Sequence, residues 1–148
     1  MTRVFAEVIG DPIAQSKSPA IHNFWLEKLG IDATYRAAHV RAEELADYLA
    51  SRRADPMWRG CNVTMPHKQA VMPLLDRLDP LAGKVGAVNT IVPDGAGELA
   101  GFNTDVAGFL EPLEPLLAQP SLMRMARVFG AGGAARAVVA ALVARGVI

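Results

Sequence analysis

Short apolar runs alternate with segments of helical periodicity along this chain, and Gly or Pro punctuates nearly every junction. No other feature constrains the fold as strongly. Parallel strands need long crossover connections, usually helices, so the alternation implies an α/β fold with a mostly parallel sheet covered on both faces. Val4 to Ile9 reads as a buried strand closed by Gly10-Asp11-Pro12. Ser18-Pro19 then opens a helix, with Ser as N-cap and Pro at the first helical position. Its apolar residues Ile21, Phe24, Trp25 and Leu29 recur at helical spacing, and Gly30 closes it. Thr34 to Val40 reads as a strand, and Glu43 to Arg53 as a helix with Leu45, Tyr48 and Leu49 inward. Gly60 to Thr64 is a third strand, and Pro66 opens a helix that runs brokenly past Pro73. Val88 to Val92 and Leu99 to Phe102 flank Asp94-Gly95-Ala96-Gly97 as a hairpin-like pair. A helix from Asp105 to about Leu117 follows, then a linker over Ala118 to Leu122, a strand over Ala126 to Phe129 and an Ala/Val-rich helix over Gly133 to Arg145.

The composition is compatible with a packed core, since 51% of the 148 residues are apolar. Fifteen Lys and Arg balance fifteen Asp and Glu, which argues against a nucleic-acid binder and against a polybasic membrane-surface protein. The one cysteine, Cys61, leaves no internal disulfide and fits a reducing cytoplasm. No run approaches the length of a membrane span, and the apolar stretch near the N-terminus is too short for a signal peptide.

Ligands of such sheets bind beyond the C-terminal ends of the strands, so polar residues just after each strand are the candidates. In Gln15-Ser16-Lys17-Ser18-Pro19, two hydroxyls sit at a helix start, where free amides favour an anion. Ser18 either caps the helix or joins Ser16 in binding a carboxylate or phosphate. In Asn62-Val63-Thr64-Met65-Pro66-His67-Lys68, Asn62 interrupts an apolar strand and Lys68 falls in the first helical turn. A cation there opposes the helix dipole at a cost of about 0.3–1 kcal/mol. Such a broken local rule marks either function or a solvated surface lysine. Asn89, within Gly86-Ala87-Val88-Asn89-Thr90-Ile91-Val92, needs a partner for its amide, either a ligand or a neighbouring loop. Asp105, after Asn103-Thr104, either caps its helix or faces Lys68 as a proton-handling pair. Gly130-Ala131-Gly132-Gly133-Ala134-Ala135 fits G-x-G-x-x-A between strand and helix, the context of a pyrophosphate-binding turn. No His pair has metal-ligand spacing, so no metal site is expected; His22 and His67 read as packing or capping residues, and Cys61 as a small buried apolar one.

Taken together and in order, these five stretches resemble the shikimate dehydrogenase family. Ile9 to Pro19 with Ile21-His22-Asn23, Asn62 to Lys68, Gly86 to Thr90, Asn103-Thr104-Asp105 with Gly108, and Gly130 to Arg136 carry the resemblance. It implies NADP-dependent reduction of 3-dehydroshikimate to shikimate in aromatic amino-acid biosynthesis. It implies that Ser16 and Ser18 bind the substrate carboxylate, that Asn62, Thr64, Asn89 and Asp105 bind ring hydroxyls, and that Lys68 and Asp105 are the catalytic pair. Gly130, Ala131, Gly132, Gly133 and Ala134 would hold the NADP pyrophosphate. The fold it implies is a three-layer α/β/α substrate domain over residues 1–105. Residues 106–148 would then supply a connecting helix and the first βα unit of a Rossmann-type domain. The partner expected is a small molecule, not nucleic acid or a membrane, with a homodimer left open. A quinate/shikimate dehydrogenase using NAD, and a substrate-binding fragment without turnover, are the alternatives.

Overall fold

The computed structural model describes residues 3–119 and 125–147. Its strands are β1 (Val4–Gly10), β2 (Ala33–His39), β3 (Trp58–Val63), β4 (Arg77–Leu78), β5 (Thr90–Pro93) and β6 (Leu99–Phe102). Its α-helices are α1 (Ser18–Lys28), α2 (Leu45–Arg53), α3 (His67–Ala70), α4 (Pro80–Val85), α5 (Asp105–Leu110), α6 (Glu114–Leu117) and α7 (Gly133–Ala144). The six strands form one sheet in the order β2-β1-β3-β5-β6-β4. The pairs β1–β2, β1–β3 and β4–β6 are parallel, whereas β5 runs antiparallel to β3 and β6.

Alternation along β1 sends Phe5 and Ile9 to one face and Ala6 and Val8 to the other. The first face builds the main core with Val40, Leu45, Leu49, Trp58, Val63, Val71, Val88, Ile91 and Leu99, under α2 and the α3–α4 segment. Glu7 also lies on this side and is buried. Its carboxylate accepts from Arg36 Nε at 2.8 Å, Arg52 Nε at 2.7 Å and the Tyr48 hydroxyl at 2.6 Å. Burial pushes the Glu7 carboxyl up; the bonds from Arg52, Tyr48 and Arg36 outweigh it and hold the group below its ordinary range. On the other face Val8, Ile13 and Tyr35 pack with Ala6 and Leu26 beneath α1. A third cluster joins Val85 and Ala87 to Val106, Leu110, Ala137 and Ala141, seating α7 on α5.

The structure departs from the sequence expectations in four places. The helix at Ser18 buries no residue, and Ile21, Phe24, Trp25 and Leu29 are all exposed. Trp25 and Leu29 border an apolar groove of about 510 Å³ over β3 and β5, where α1 does not reach across the sheet. Lys17, not Ser18, is the residue before the first helical turn. The helix expected from Asp105 to Leu117 is broken into α5, a 3₁₀ turn at Glu111–Leu113 and α6, because Pro112 and Pro115 cannot donate to the ladder. Finally, no strand forms over Ala126 to Phe129, since a strand exists only when paired and no described segment pairs with it. Most of the expected linker over 118–122 lies outside the described residues.

Candidate functional site

The candidate residues meet along the edge formed by one set of strand ends, where β1, β3 and β6 finish and the antiparallel β5 begins just after Asn89, and backbone bonds fix their relative positions. Thr64 N–H donates to Ile9 O at 2.9 Å, and Val63 N–H donates to Asn89 O at 2.8 Å. Asn89 N–H donates to Phe102 O at 3.0 Å, and Val88 N–H donates to Lys68 O at 2.7 Å. Gly10 permits the first of these approaches. A Cβ there would stand 2.6 Å from Thr64 Cγ2 and 2.9 Å from Met65 O, closer than any side chain tolerates.

Lys68 and Asp105 face each other across this edge. Lys68 Nζ donates to Asp105 Oδ2 at 2.6 Å, with the two side chains 16% and 29% exposed. The pair is thus shielded, yet open enough to receive a ligand. Asp105 is free for this contact because Asn103 does the capping. Asn103 Oδ1 accepts from the N–H groups of Asp105 at 3.1 Å and Val106 at 3.4 Å, while its amide donates to Ala87 O at 2.9 Å. An ammonium carries three donors, so two remain on Lys68 for an oxygen brought beside it.

Asn89 organises the other side of Asp105. Its Nδ2 donates to Asp105 Oδ1 and to Thr104 Oγ1, both at 2.8 Å. Its Oδ1 accepts from Thr104 N–H and from the Thr90 hydroxyl, both at 3.0 Å. Asn62 joins through Nδ2, which donates to Thr90 Oγ1 at 3.2 Å, and through Oδ1, which accepts from the Tyr35 hydroxyl at 2.6 Å. Asn103, Thr104, Thr90 and Tyr35 were not singled out from the sequence. The first three lie inside the motifs, where the sequence assigns them no role of their own. Tyr35 lies in β2, where an aromatic reads as core.

Ser16 and Ser18 follow β1 at the same end of the sheet. Ser16 Oγ accepts from Ser18 N–H at 3.3 Å, which leaves the Ser16 hydroxyl proton for another acceptor. His22 connects this segment to the rest: its Nδ1 lies 2.9 Å from Ser18 O and its ring stacks on Tyr35 at 4.0 Å. His67 is buried with Nε2 at 2.6 Å from Val40 O, as expected of a packing residue. Cys61 is buried too, and burial pushes its thiol up, which disfavours the reactive thiolate. Among the described residues no cluster of three His, Cys, Asp or Glu could hold a metal.

The glycine-rich turn lies on the far side of Lys68. Gly130 adopts φ of 115°, a conformation that side chains rarely take, and Gly132 precedes α7. A cleft of about 420 Å³ separates Thr64–Gln69 from the turn and is lined by Lys68, Phe129, Gly130, Gly132, Gly133 and Ala134. Gly133 comes so close that a Cβ on it would stand 2.8 Å from Lys68 Cβ. The first amides of α7 have no intrahelical partner and make this cleft suited to an anionic group. Gly130, Gly132, Gly133 and Ala134 thus share the cleft with Lys68, whereas Ala131 faces a separate pocket with Lys84 and Val85.

The chain matches the family model described as Shikimate dehydrogenase substrate binding domain over residues 8–91. It is 61% identical over 138 residues to a protein of Sphingopyxis alaskensis named shikimate dehydrogenase (NADP(+)), covering 93% of this chain and 49% of that protein. It is similar to the crystal structure of shikimate dehydrogenase from Aquifex aeolicus, with TM-score 0.89 and 38% identity over 97% of this chain and 53% of that one. It is also similar to the Thermus thermophilus shikimate 5-dehydrogenase in complex with NADP(H) and shikimate, with TM-score 0.85 and 42% identity over 97% of this chain and 53% of that one. The chain spans about half the length of the curated relatives it matches.

Proposed function

Because the chain belongs to the shikimate dehydrogenase substrate-binding family, matched over residues 8–91, we propose that it binds shikimate and 3-dehydroshikimate as the substrate half of an NADP-dependent ketone reductase. The observation that carries this reading is the Lys68–Asp105 contact at 2.6 Å, placed between a ring of amides and hydroxyls and a glycine-rich turn. Ser16 and Ser18, at the start of α1, take the substrate carboxylate. Asn62, Thr64, Asn89 and Asp105 bind its ring hydroxyls.

The residues of the turn fit a dinucleotide, since Gly130 and Gly132 let a pyrophosphate approach backbone amides at the start of α7. Gly130, Ala131, Gly132, Gly133 and Ala134 would hold it, and bound NADPH supplies the hydride. The protein's own task is to manage the ketone oxygen. As the carbonyl carbon is reduced, negative charge collects on that oxygen. The Lys68 ammonium stabilises the charge and delivers the proton. Asp105 keeps the ammonium aimed, and Asn89 holds Asp105 by its second oxygen.

We assign residues 1–105 to the substrate unit and 106–148 to the connecting helix and the start of the nucleotide-binding unit. Two of the three cores support this, since neither draws on a residue beyond Leu99. The third bridges the two units through Val85 and Ala87. The cytoplasm is the compartment that suits a buried free cysteine. No helix among the described residues is long and apolar enough to cross a membrane.

Calorimetric titration of shikimate tests the substrate assignment. The wild-type chain should release heat of binding, and the double variant Ser16→Ala/Ser18→Ala should bind at least about tenfold more weakly, the loss of two hydrogen bonds to a charged group. Identical heats from both would remove the carboxylate assignment.

A further inference from the structure

Tyr35 has no part in the chemistry described above, yet it is held more firmly than packing requires. Its backbone N–H donates to Asn23 Oδ1 at 2.9 Å, and its carbonyl accepts from Asn23 Nδ2 at 2.7 Å. Its ring lies against His22, nearly parallel at 10°. Backbone and ring are therefore both fixed by α1, and the hydroxyl that reaches Asn62 Oδ1 at 2.6 Å has little freedom. We infer that Tyr35 is a positioning residue that sets the orientation of the Asn62 amide and makes Asn62 a hydrogen-bond acceptor toward the ligand.

The argument follows the direction of each bond. The Thr90 hydroxyl donates to Asn89 Oδ1, so the Thr90 oxygen is left to accept from Asn62. Asn89 O, 3.5 Å from Asn62 Nδ2, is a carbonyl and can only accept. Both groups therefore demand the NH₂ end of the Asn62 amide on their side. The Tyr35 hydroxyl must then donate to Oδ1, and burial raises the phenol above its ordinary value, so it keeps the proton to donate. The result is one directed chain: Tyr35 to Asn62, Asn62 to Thr90, Thr90 to Asn89, and Asn89 to Asp105. Both amide hydrogens of Asn62 are engaged, and one lone pair of Oδ1 remains. A ligand group meeting Asn62 must donate, as a hydroxyl does and a ketone or ether cannot. Selection for a hydroxyl at this position is thus set from β2, one residue removed from the ligand.

The inference rests on Asn62 being a ligand-binding residue, as proposed above. Its test is a double-mutant cycle read by shikimate titration of the 148-residue chain. Tyr35→Phe keeps the ring, the stack on His22 and both Asn23 bonds, so its melting temperature should stay close to wild type. Its shikimate affinity should fall about three- to tenfold, the worth of one buried hydrogen bond. In an Asn62→Ala background the same change should alter affinity by less than about twofold. Wild-type affinity in Tyr35→Phe, or an equal further loss on top of Asn62→Ala, would overturn the inference. If the wild-type chain gives no heat with shikimate, the ligand reading itself fails. The amide NMR signals of the Asn62 side chain, recorded without ligand, then decide the positioning claim. A shift of both signals in Tyr35→Phe supports it, and unchanged signals overturn it.

Discussion

Adding one methyl group at Gly133 tests whether α7 bears on Lys68. A Cβ there would stand 2.8 Å from Lys68 Cβ, 3.0 Å from Lys68 Cδ and 3.4 Å from Ala87 Cβ. Carbon atoms prefer separations of about 3.5–4.0 Å, so something must move. Lys68 cannot give way easily. Its carbonyl accepts from Val88 N–H at 2.7 Å, and its ammonium is tied to Asp105 at 2.6 Å. The strain therefore falls on α7 and costs about 1–3 kcal/mol, as overpacking does. Against it stands the gain of Ala over Gly in a helix, at most about 1 kcal/mol. The expected net effect of Gly133→Ala is destabilisation by about 1–2 kcal/mol. Gly108 is the control, since it lies in α5 with no atom within 4 Å of a Cβ. Gly108→Ala should stabilise by about 0.5–1 kcal/mol. Urea unfolding of both variants measures the signs, and amide hydrogen exchange in α7 localises the effect. If Gly133→Ala stabilises the chain as Gly108→Ala does, α7 does not press on Lys68 and the coupling of the turn to the lysine is wrong.

Two further outcomes are expected. The Glu7 carboxyl is held below its unfolded value of 4.5, so the folded state binds its proton less readily than the unfolded chain. The stabilisation is therefore complete above that value and is lost as pH falls through the folded-state value. Glu7→Gln should cost about 2 kcal/mol at neutral pH, since it leaves the shielded Arg52 without its charged partner while Arg36 stays solvated, and should flatten the acid limb of stability measured by urea unfolding between pH 7 and 3. An acid limb as steep as wild type would show that Glu7 is not the titrating group. Asn103→Ala removes the cap of α5 and should cost about 1–2 kcal/mol in urea unfolding, whereas Asn103→Asp, which keeps a capping oxygen, should cost clearly less. An Asn103→Ala variant as stable as wild type would show that Asn103 is not the cap.

The motifs were legible because each carries a local anomaly that sequence alone exposes. Asn62 and Asn89 are polar residues set in apolar runs, Lys68 is a cation at a helix start, and Gly130 to Gly133 is a turn between elements. The alternation of segments likewise points to the sheet and to most of its strands. What stayed hidden depends on contacts between distant segments. The exposed face of α1 reads as core-facing because periodicity records a stripe, not whether anything covers it. β4 has only two residues, too few to leave a pattern, and exists because Arg77 and Leu78 pair with Ala100 and Gly101. The sequence signals the hairpin of β5 with β6, but not that it docks with β5 antiparallel beside β3. Asn103 rather than Asp105 caps α5, a choice of neighbour that sequence cannot make. Tyr35 looks like any strand aromatic until its hydroxyl is seen against Asn62.

The most direct test of the central claim is the kinetics of Lys68→Ala in a full-length enzyme carrying these residues. If Lys68 protonates the ketone oxygen as charge develops, kcat for shikimate-dependent NADPH formation should fall about 10²–10⁴-fold while KM changes little. A variant whose kcat stays within about threefold of wild type would make Lys68 a bystander beside Asp105, because a general acid contributes far more than that.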